Sequence, residues 1–516
     1  MQSIRTVLAL AGVAATMSAQ AVIEFADVSG PSGFQPAMNA DVHAGGIAVA
    51  DFDRNGFPDI FVTGYSEPNR LFYNDGTGQF FEIPAHNAQL QGALCNVAAA
   101  ADYDNDGWPD LYVACRNGPN HLFRNTGTGF ADVTTAELDH DPPGLTPAWV
   151  DGVAWGDLDR NGLPDLFVGT YPTTATADPS DPFNRDRILL QMAGPAWIDA
   201  AQQLDFSRLI QPTLAAVQAD IDRDGRTDIY VVNDKNLGNV LWRNTGPGCG
   251  SVCFEDVSLA SGADRPVFGM GIAIGDIDRD GRPDLFFSSI GEQVLLRSTS
   301  SDPLAFEEVQ NAAGVSHPGV GWATIFADFD HDGHEDAYLA VMPTPDGTID
   351  GTDQIYRNLG SGSFANVTGQ SGLDIDLVTI AGALIDFDRD GRLDLVLGHG
   401  TNGYRLYRNQ TTAGNWIGFE LEGGSAGVSR DALGARVEIQ TADGTQWREV
   451  RSGESRGASH DPIVHFGIGD ATAAEVTIHW PDGLAESLGP VPAGRYHHRA
   501  HPNFDPLFSD SLESAP

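Results

Sequence analysis

Seven nine-residue stretches of the 516-residue chain set side-chain oxygens at alternate positions around one glycine: "DFDRNGFPD" from 51, "DYDNDGWPD" from 102, "DLDRNGLPD" from 157, "DIDRDGRTD" from 220, "DIDRDGRPD" from 276, "DFDHDGHED" from 328 and "DFDRDGRLD" from 386. Positions 1, 3, 5 and 9 carry the oxygens, and position 6 is glycine. These residues are Asp51, Asp53, Asn55 and Asp59; Asp102, Asp104, Asp106 and Asp110; Asp157, Asp159, Asn161 and Asp165; Asp220, Asp222, Asp224 and Asp228. The last three loops supply Asp276, Asp278, Asp280 and Asp284; Asp328, Asp330, Asp332 and Asp336; Asp386, Asp388, Asp390 and Asp394. Alternate residues of a tight loop point inward together, and glycine permits the bend that brings in the carbonyl of position 7. Roughly six or seven hard oxygens at flexible geometry suit Ca²⁺, whereas zinc or copper call for imidazole or thiolate. Up to seven ions would offset the repulsion among these carboxylates. The loops read as closed and equivalent, whereas a catalytic metal needs an open position and a nearby acid or base. The Ca²⁺ expected here is therefore structural.

The loops recur at spacings of 51, 55, 63, 56, 52 and 58 residues, each within the same surroundings. A small, apolar run precedes ("GVAWGD", "GIAIGD") and a β-rich run follows ("DLFVG", "DIYVV"). An aromatic-Arg-Asn turn signal comes next ("LFRNTGTG", "LWRNTGPG", "IYRNLGSG"), then a short strand ("FADVT", "FEDVS", "FANVT"). Blades three and five depart from the turn signal, with "ILLQMAGPA" and "LLRSTSSDP". Strands on both sides exclude a helix–loop–helix site, and the glutamate that would end an EF-hand loop is missing. Four short strands per unit of about 40–60 residues predict an all-β, seven-bladed propeller. The seventh unit (378–409) has three strands, and "IEFADVS" at 23–29 is an outer strand standing alone, so it is expected to close the ring. Cys95 and Cys115 flank the second loop almost symmetrically and Cys249 and Cys253 sit in "CGSVC", which predicts two disulfides.

The acidic loop, its Gly-rich leading strand and the "F-x-D-V-T" element resemble FG-GAP/VCBS repeats. The C-terminal "NWIGFELEGG", "RDALGARVEI", "VHFGIGD" and "VTIHWPDG" resemble an ASPIC/UnbV domain. Together they are similar to the cartilage acidic protein family, which implies a secreted, Ca²⁺-binding, seven-bladed propeller. No Arg-Gly-Asp tripeptide occurs, so the resemblance implies no adhesion contact of that kind.

Four regions are expected: a signal peptide (1–21), the propeller (22–410), a small β-sandwich-like ASPIC/UnbV domain (411–505) and a tail (506–516). The first shows Arg5, an apolar run and small residues at Ala19 and Ala21, with no nearby cysteine for a lipid anchor. Secretion or export to the periplasm follows. A net charge of −42 argues against nucleic acid as a partner, and no stretch is apolar enough to span a bilayer.

The face opposite the acidic loops has long, unequal connections, notably 169–187 and 341–353, where binding tends to reside. Trp149, Asp151, Tyr171, Trp322 and His399 outline a candidate ligand site there. No nucleophile elbow, Walker loop or HExxH occurs. His460, His465, His479, His497, His498 and His501 read as ordinary surface histidines and a solvated tail rather than metal ligands. The leading expectation is a protein that binds an extracellular or envelope ligand, protein or glycan. The alternatives are a polysaccharide lyase or hydrolase acting at the loop-rich face, and an assembly scaffold for exported proteins.

Overall fold

A computed structural model describes residues 22–36, 45–92, 94–116, 118–139, 149–172, 184–194, 196–204, 206–344, 346–349, 351–373, 377–425 and 427–505. The expected leader, the tail and the central part of connection 169–187 lie outside these residues.

Seven four-stranded sheets form the propeller. Blade 1 comprises Ile47–Ala50, Asp59–Val62, Arg70–Asn74 and Phe80–Glu82. Blades 2 to 6 repeat this from Cys95–Ala101, Trp149–Gly156, Thr213–Ala219, Ile272–Gly275 and Val320–Ala327. Blade 7 has Ala381–Ile385, Asp394–Gly398 and Tyr404–Asn409, with Phe25–Asp27 as its outer strand, Phe25 opposite Asn409. In every blade the innermost strand ends opposite the position-9 aspartate, as Ala50 does opposite Asp59, so each acidic loop is the hairpin between the two inner strands. The second hairpin sets Cys95 opposite Cys115, and both expected disulfides form.

The "D-V-[ST]" element has a local cause. Asp256 Oδ1 accepts the Ser258 N–H, starting the short helix Ser258–Ser261, and Ser258 Oγ accepts the Leu241 N–H from the third strand. Asp27 with Ser29 and Asn366 with Thr368 repeat this in blades 7 and 6.

The C-terminal domain is a two-sheet sandwich. Asn415–Glu422 pairs with Val464–Gly469 and Tyr496–Ala500; Gly444–Glu449, Arg436–Thr441, Ala473–His479 and Ala485–Pro492 form the second sheet. Its core is continuous with the propeller's: Ile417, Phe419, Val437 and Phe466 share a buried cluster with Tyr112 and Trp155. The domain sits on the acidic-loop end, and residues 450–463 run into the central channel. There the backbone N–H of Trp155 donates to the Ser452 carbonyl (2.9 Å), Ile272 exchanges backbone hydrogen bonds with Ser455 (3.0 and 2.6 Å), and Ala458–Ser459 adds in parallel to the innermost strand of blade 1. Gly453, at φ +96°, packs so closely that a Cβ would meet the Val153 carbonyl at 2.5 Å. Edge hydrogen bonds of several blades thus close onto one inserted segment rather than onto water.

Candidate metal centres and the far end of the channel

Each loop is wired alike. The position-1 carboxylate accepts the N–H of the position-6 glycine, from Gly56 to Asp51 at 2.8 Å through Gly391 to Asp386 at 2.8 Å. The position-5 oxygen accepts the N–H of position 7, as Phe57 donates to Asn55 (2.8 Å) and Arg226 to Asp224 (2.9 Å). Position 9 accepts twice: Asp59 takes Phe52 N–H at 2.8 Å and Asn74 N–H at 2.7 Å, and Asp394 takes Phe387 and Asn409 at 3.3 and 2.7 Å. These bonds turn one oxygen each from positions 1, 3 and 9 to within 4.8 Å of one another.

The donor chemistry fits Ca²⁺. Three or four carboxylates converge in a partly dry loop, and Oδ1 of Asp102, Asp220, Asp278 and Asp388 is buried with no hydrogen-bond partner. Burial pushes Asp51, Asp220 and Asp276 up to about 6 and Asp157 and Asp386 up to about 7. It raises every position-9 carboxyl well above the usual range, with neighbouring aspartates adding to the effect. A hard divalent cation would supply the missing positive charge to positions 1, 3 and 9.

The two loops with asparagine at position 5 are instructive. In blades 2, 4, 5, 6 and 7 the third strand carries Arg124, Arg243, Arg297, Arg357 or Arg408, and position 5 is aspartate. Arg124 Nε lies 2.6 Å from Asp104 and its Nη2 3.1 Å from Asp106; Arg357 makes the same fork to Asp330 and Asp332 at 2.6 and 3.0 Å. Blades 1 and 3 have Tyr73 and Leu190 instead, and there Asn55 and Asn161 donate their amides to the Asn74 and Gln191 carbonyls (2.7 and 2.8 Å). Where the arginine is lost, one carboxylate is lost with it. In loops 4, 5 and 7 a further arginine at position 7, Arg226, Arg282 or Arg392, also pairs with the position-5 carboxylate.

Two roles were not visible in the repeat alone. The asparagine of the third-strand turn signal joins neighbouring blades: Asn74 Nδ2 reaches Phe387 O, Asn125 reaches Phe52 O, Asn244 reaches Leu158 O, Asn358 reaches Ile277 O and Asn409 reaches Phe329 O, at 2.7–2.9 Å. The departures in blades three and five replace this asparagine with Gln191 and Ser298. Position 4, left-handed in all seven loops (φ 52–64°), turns its side chain toward the C-terminal domain in most of them. Arg389 pairs with Asp461 (2.8 Å) and Glu420 (3.4 Å), Asn105 accepts from Arg430 N–H (2.6 Å), Arg279 donates to Thr445 O and His331 packs on His465. The signal available in sequence was the recurrence of a polar residue, Arg, Asn or His, at position 4 of all seven loops.

At the other end the expected ligand residues divide. Trp149 stacks on Tyr171 with centroids 5.9 Å apart, Arg116 lies 4.6 Å over Trp149, and Lys235 lies 4.4 Å over Tyr171. Asp151 is buried behind them in a two-point ion pair with Arg116 (2.9 and 3.0 Å). Trp322 faces the inserted segment, its ring 4.6 Å from the Arg456 guanidinium; Arg456 lies 3.8 Å from Asp151 and is 1% exposed. His399 is not brought to this group. It is fully buried in blade 7, bonded to Thr379 Oγ1 (2.8 Å) and Tyr407 OH (2.9 Å), because its strand turns the ring into the sheet interface.

The histidines also differ from expectation. His465 and His501 are buried rather than on the surface, and His460 accepts the Leu384 N–H inside the channel junction. His479 lies 4.0 Å from Glu438, His498 3.2 Å from Glu422, and His497 meets Pro492 O, so they form no common cluster.

Residues 51–113, 102–168, 220–287 and 328–397 match the FG-GAP-like repeat, and residues 424–503 match ASPIC and UnbV. The chain is therefore an FG-GAP-repeat propeller with a C-terminal ASPIC/UnbV domain. Among named proteins it is similar to cartilage acidic protein 1 of Mus musculus, 25% identical over 482 residues that cover 85% of this chain and 70% of that one. The Homo sapiens protein is 24% identical over 469 residues, covering 85% and 69%. Among solved structures, BBS1N in complex with ARL6DN aligns at TM-score 0.43 and 11% identity, over 76% of this chain and 99% of that one, which is too loose to bear on function.

Proposed function

We propose that this chain is an exported protein whose blades are pinned by up to seven structural Ca²⁺ ions, and whose loop-rich end binds an extracellular or envelope protein or glycan. The observation that carries the metal reading is the seven-fold convergence of positions 1, 3 and 9, with the position-5 charge adjusted where arginine is absent. The two disulfides support an oxidising compartment, and no helix among the described residues is long and apolar enough to cross a membrane.

For the ligand, Trp149 and Tyr171 form a flat stacked pair flanked by Arg116 and Lys235. Aromatic faces beside cations suit a sugar or an acidic peptide side chain. Calorimetric unfolding with Ca²⁺ and with chelator tests the metal reading, and an unchanged melting temperature would refute it. A glycan and matrix-protein binding screen, repeated with Trp149→Ala, tests the ligand end; binding indifferent to that change would move the site elsewhere.

A further inference from the structure

Between the C-terminal domain and blades 3 and 4 lies a cavity of about 320 Å³ whose wall gathers three arginines and two tryptophans beside three carboxylates, in a chain of net charge −42. Arg160 and Arg223, at position 4 of loops 3 and 4, reach it from the propeller. Arg436, Trp447, His479 and Trp480 reach it from one sheet of the C-terminal domain and the turn that follows, with Arg436 directly opposite His479 across the strands. Arg223 lies 4.7 Å over the Trp447 ring and spends one nitrogen on the Gly281 carbonyl. Its Nε, the Nε of Arg436 and the indole N–H of Trp447, a residue only 4% exposed, are buried without hydrogen-bond partners.

The acids on this wall, Asp220, Asp224 and Glu449, form no direct ion pair with Arg223 or Arg436, although Asp220 and Glu449 act on Arg223, and Glu449 on Arg436, through space. Asp224 is paired with Arg226, and Glu449 accepts the Asp220 N–H at 3.3 and 3.4 Å. Among the described residues Arg160 and Arg436 form no ion pair, whereas Arg389, the equivalent of Arg160 in loop 7, has two. Three guanidiniums gathered around a cavity, with donors left over, are arranged for an anion that arrives from outside.

We infer that this cavity binds an oxyanion group, carboxylate, sulfate or phosphate, on a ligand no larger than one or two sugar residues, held by Arg436, Arg223 and Arg160. The volume is that of a small-ligand site, and planar guanidinium forks match the geometry of all three oxyanions. This site lies at the acidic-loop end and is separate from the Trp149–Tyr171 end, so either can fail without the other.

The test is isothermal titration of the full chain in Ca²⁺ buffer with sodium sulfate, sodium glucuronate, glucose phosphate and, as the neutral control, methyl glucoside. Saturable binding of at least one anion and none of methyl glucoside is expected, and the tightest arm identifies the group. Arg436→Gln should weaken it about tenfold or more. Should Arg436→Gln not fold, Arg160→Gln, at an exposed residue, carries the same expectation. No saturation by any anion up to ~10 mM, well above the millimolar range of a weak site, would overturn the inference. Binding unchanged in the folded variants would overturn it as well.

Discussion

At one end of the channel seven hairpins repeat almost bond for bond; at the other, the connections from second to third strand differ in length and residue type, from 399–403 in blade 7 to 172–186 in blade 3. The regular end is regular because a metal loop tolerates few solutions: alternate oxygens, a left-handed position 4, a glycine at 6 and a position-9 aspartate with two fixed donors. Even its variation is disciplined, since Asn55 and Asn161 occur where the third-strand arginine is missing. The irregular end carries stacked aromatics and cations in blade 3 that, among the described residues, no other blade repeats. Uniformity therefore marks what holds the ring together, and departure from it marks where something else has to fit.

The largest effect expected is removal of Ca²⁺. At 1 mM free ion and Kd of about 10⁻⁴ M, each site adds ~1.4 kcal/mol, or ~10 kcal/mol for seven. Calorimetry should show chelation lowering the melting temperature by many degrees, and a small shift would erase the distinction between the two ends. Next comes Gly453→Val, which drives a side chain against Val153 O at a left-handed residue. A loss of about 3 kcal/mol or more, read as release of the C-terminal domain by limited proteolysis, is expected; an intact domain would show that the inserted segment is not what anchors it.

A double-mutant cycle sharpens the charge argument. Arg124→Leu should destabilise the ion-free chain by about 1–2 kcal/mol, and adding Asp106→Asn should recover much of it, recreating the pattern of loops 1 and 3. Additive losses in chemical denaturation would mean the two positions vary independently. For pH the sign follows from Asp51, Asp220 and Asp276 at about 6 and Asp157 and Asp386 at about 7. The folded ion-free chain holds these protons more tightly than the unfolded one. The stability these five groups contribute is therefore fullest below about pH 4 and is lost as pH rises through 6–7. Because the ion needs the deprotonated carboxylates, its stabilising effect should grow over the same interval, and a pH-independent gain would count against these ligands. Smallest is Lys235→Ala at the irregular end, where the residue is exposed: stability should move by no more than ~0.5 kcal/mol while ligand capture weakens.

Much of this was legible in the chain because it is local. A hairpin loop of nine residues contains its own ligands, so "DIDRDGRPD" reads as a cation loop without knowledge of anything distant. The repeat count and the lone "IEFADVS" are likewise features of order along the chain, and Phe25–Asp27 does pair with Tyr404–Asn409. His399 misled because it follows the second strand at the loop-rich end, whereas its ring turns back to Thr379 and Tyr407 of its own blade, and side-chain direction at a strand's end is set by such contacts.

What the residues alone determine is therefore the repeating part: the fold class, the acidic loops, the disulfide pairs and the charge. Only the tertiary structure decides that residues 450–463 enter the channel, that position 4 becomes a docking ring, that Trp322 faces Arg456, and that Arg160, Arg223 and Arg436 meet around one cavity. Most of those contacts join segments more than a hundred residues apart, and even the pairs of Arg389 with Asp461 and Glu420 cross from one domain to the other. Nothing in a short stretch encodes them, because they come from the packing of two finished domains rather than from the period of one.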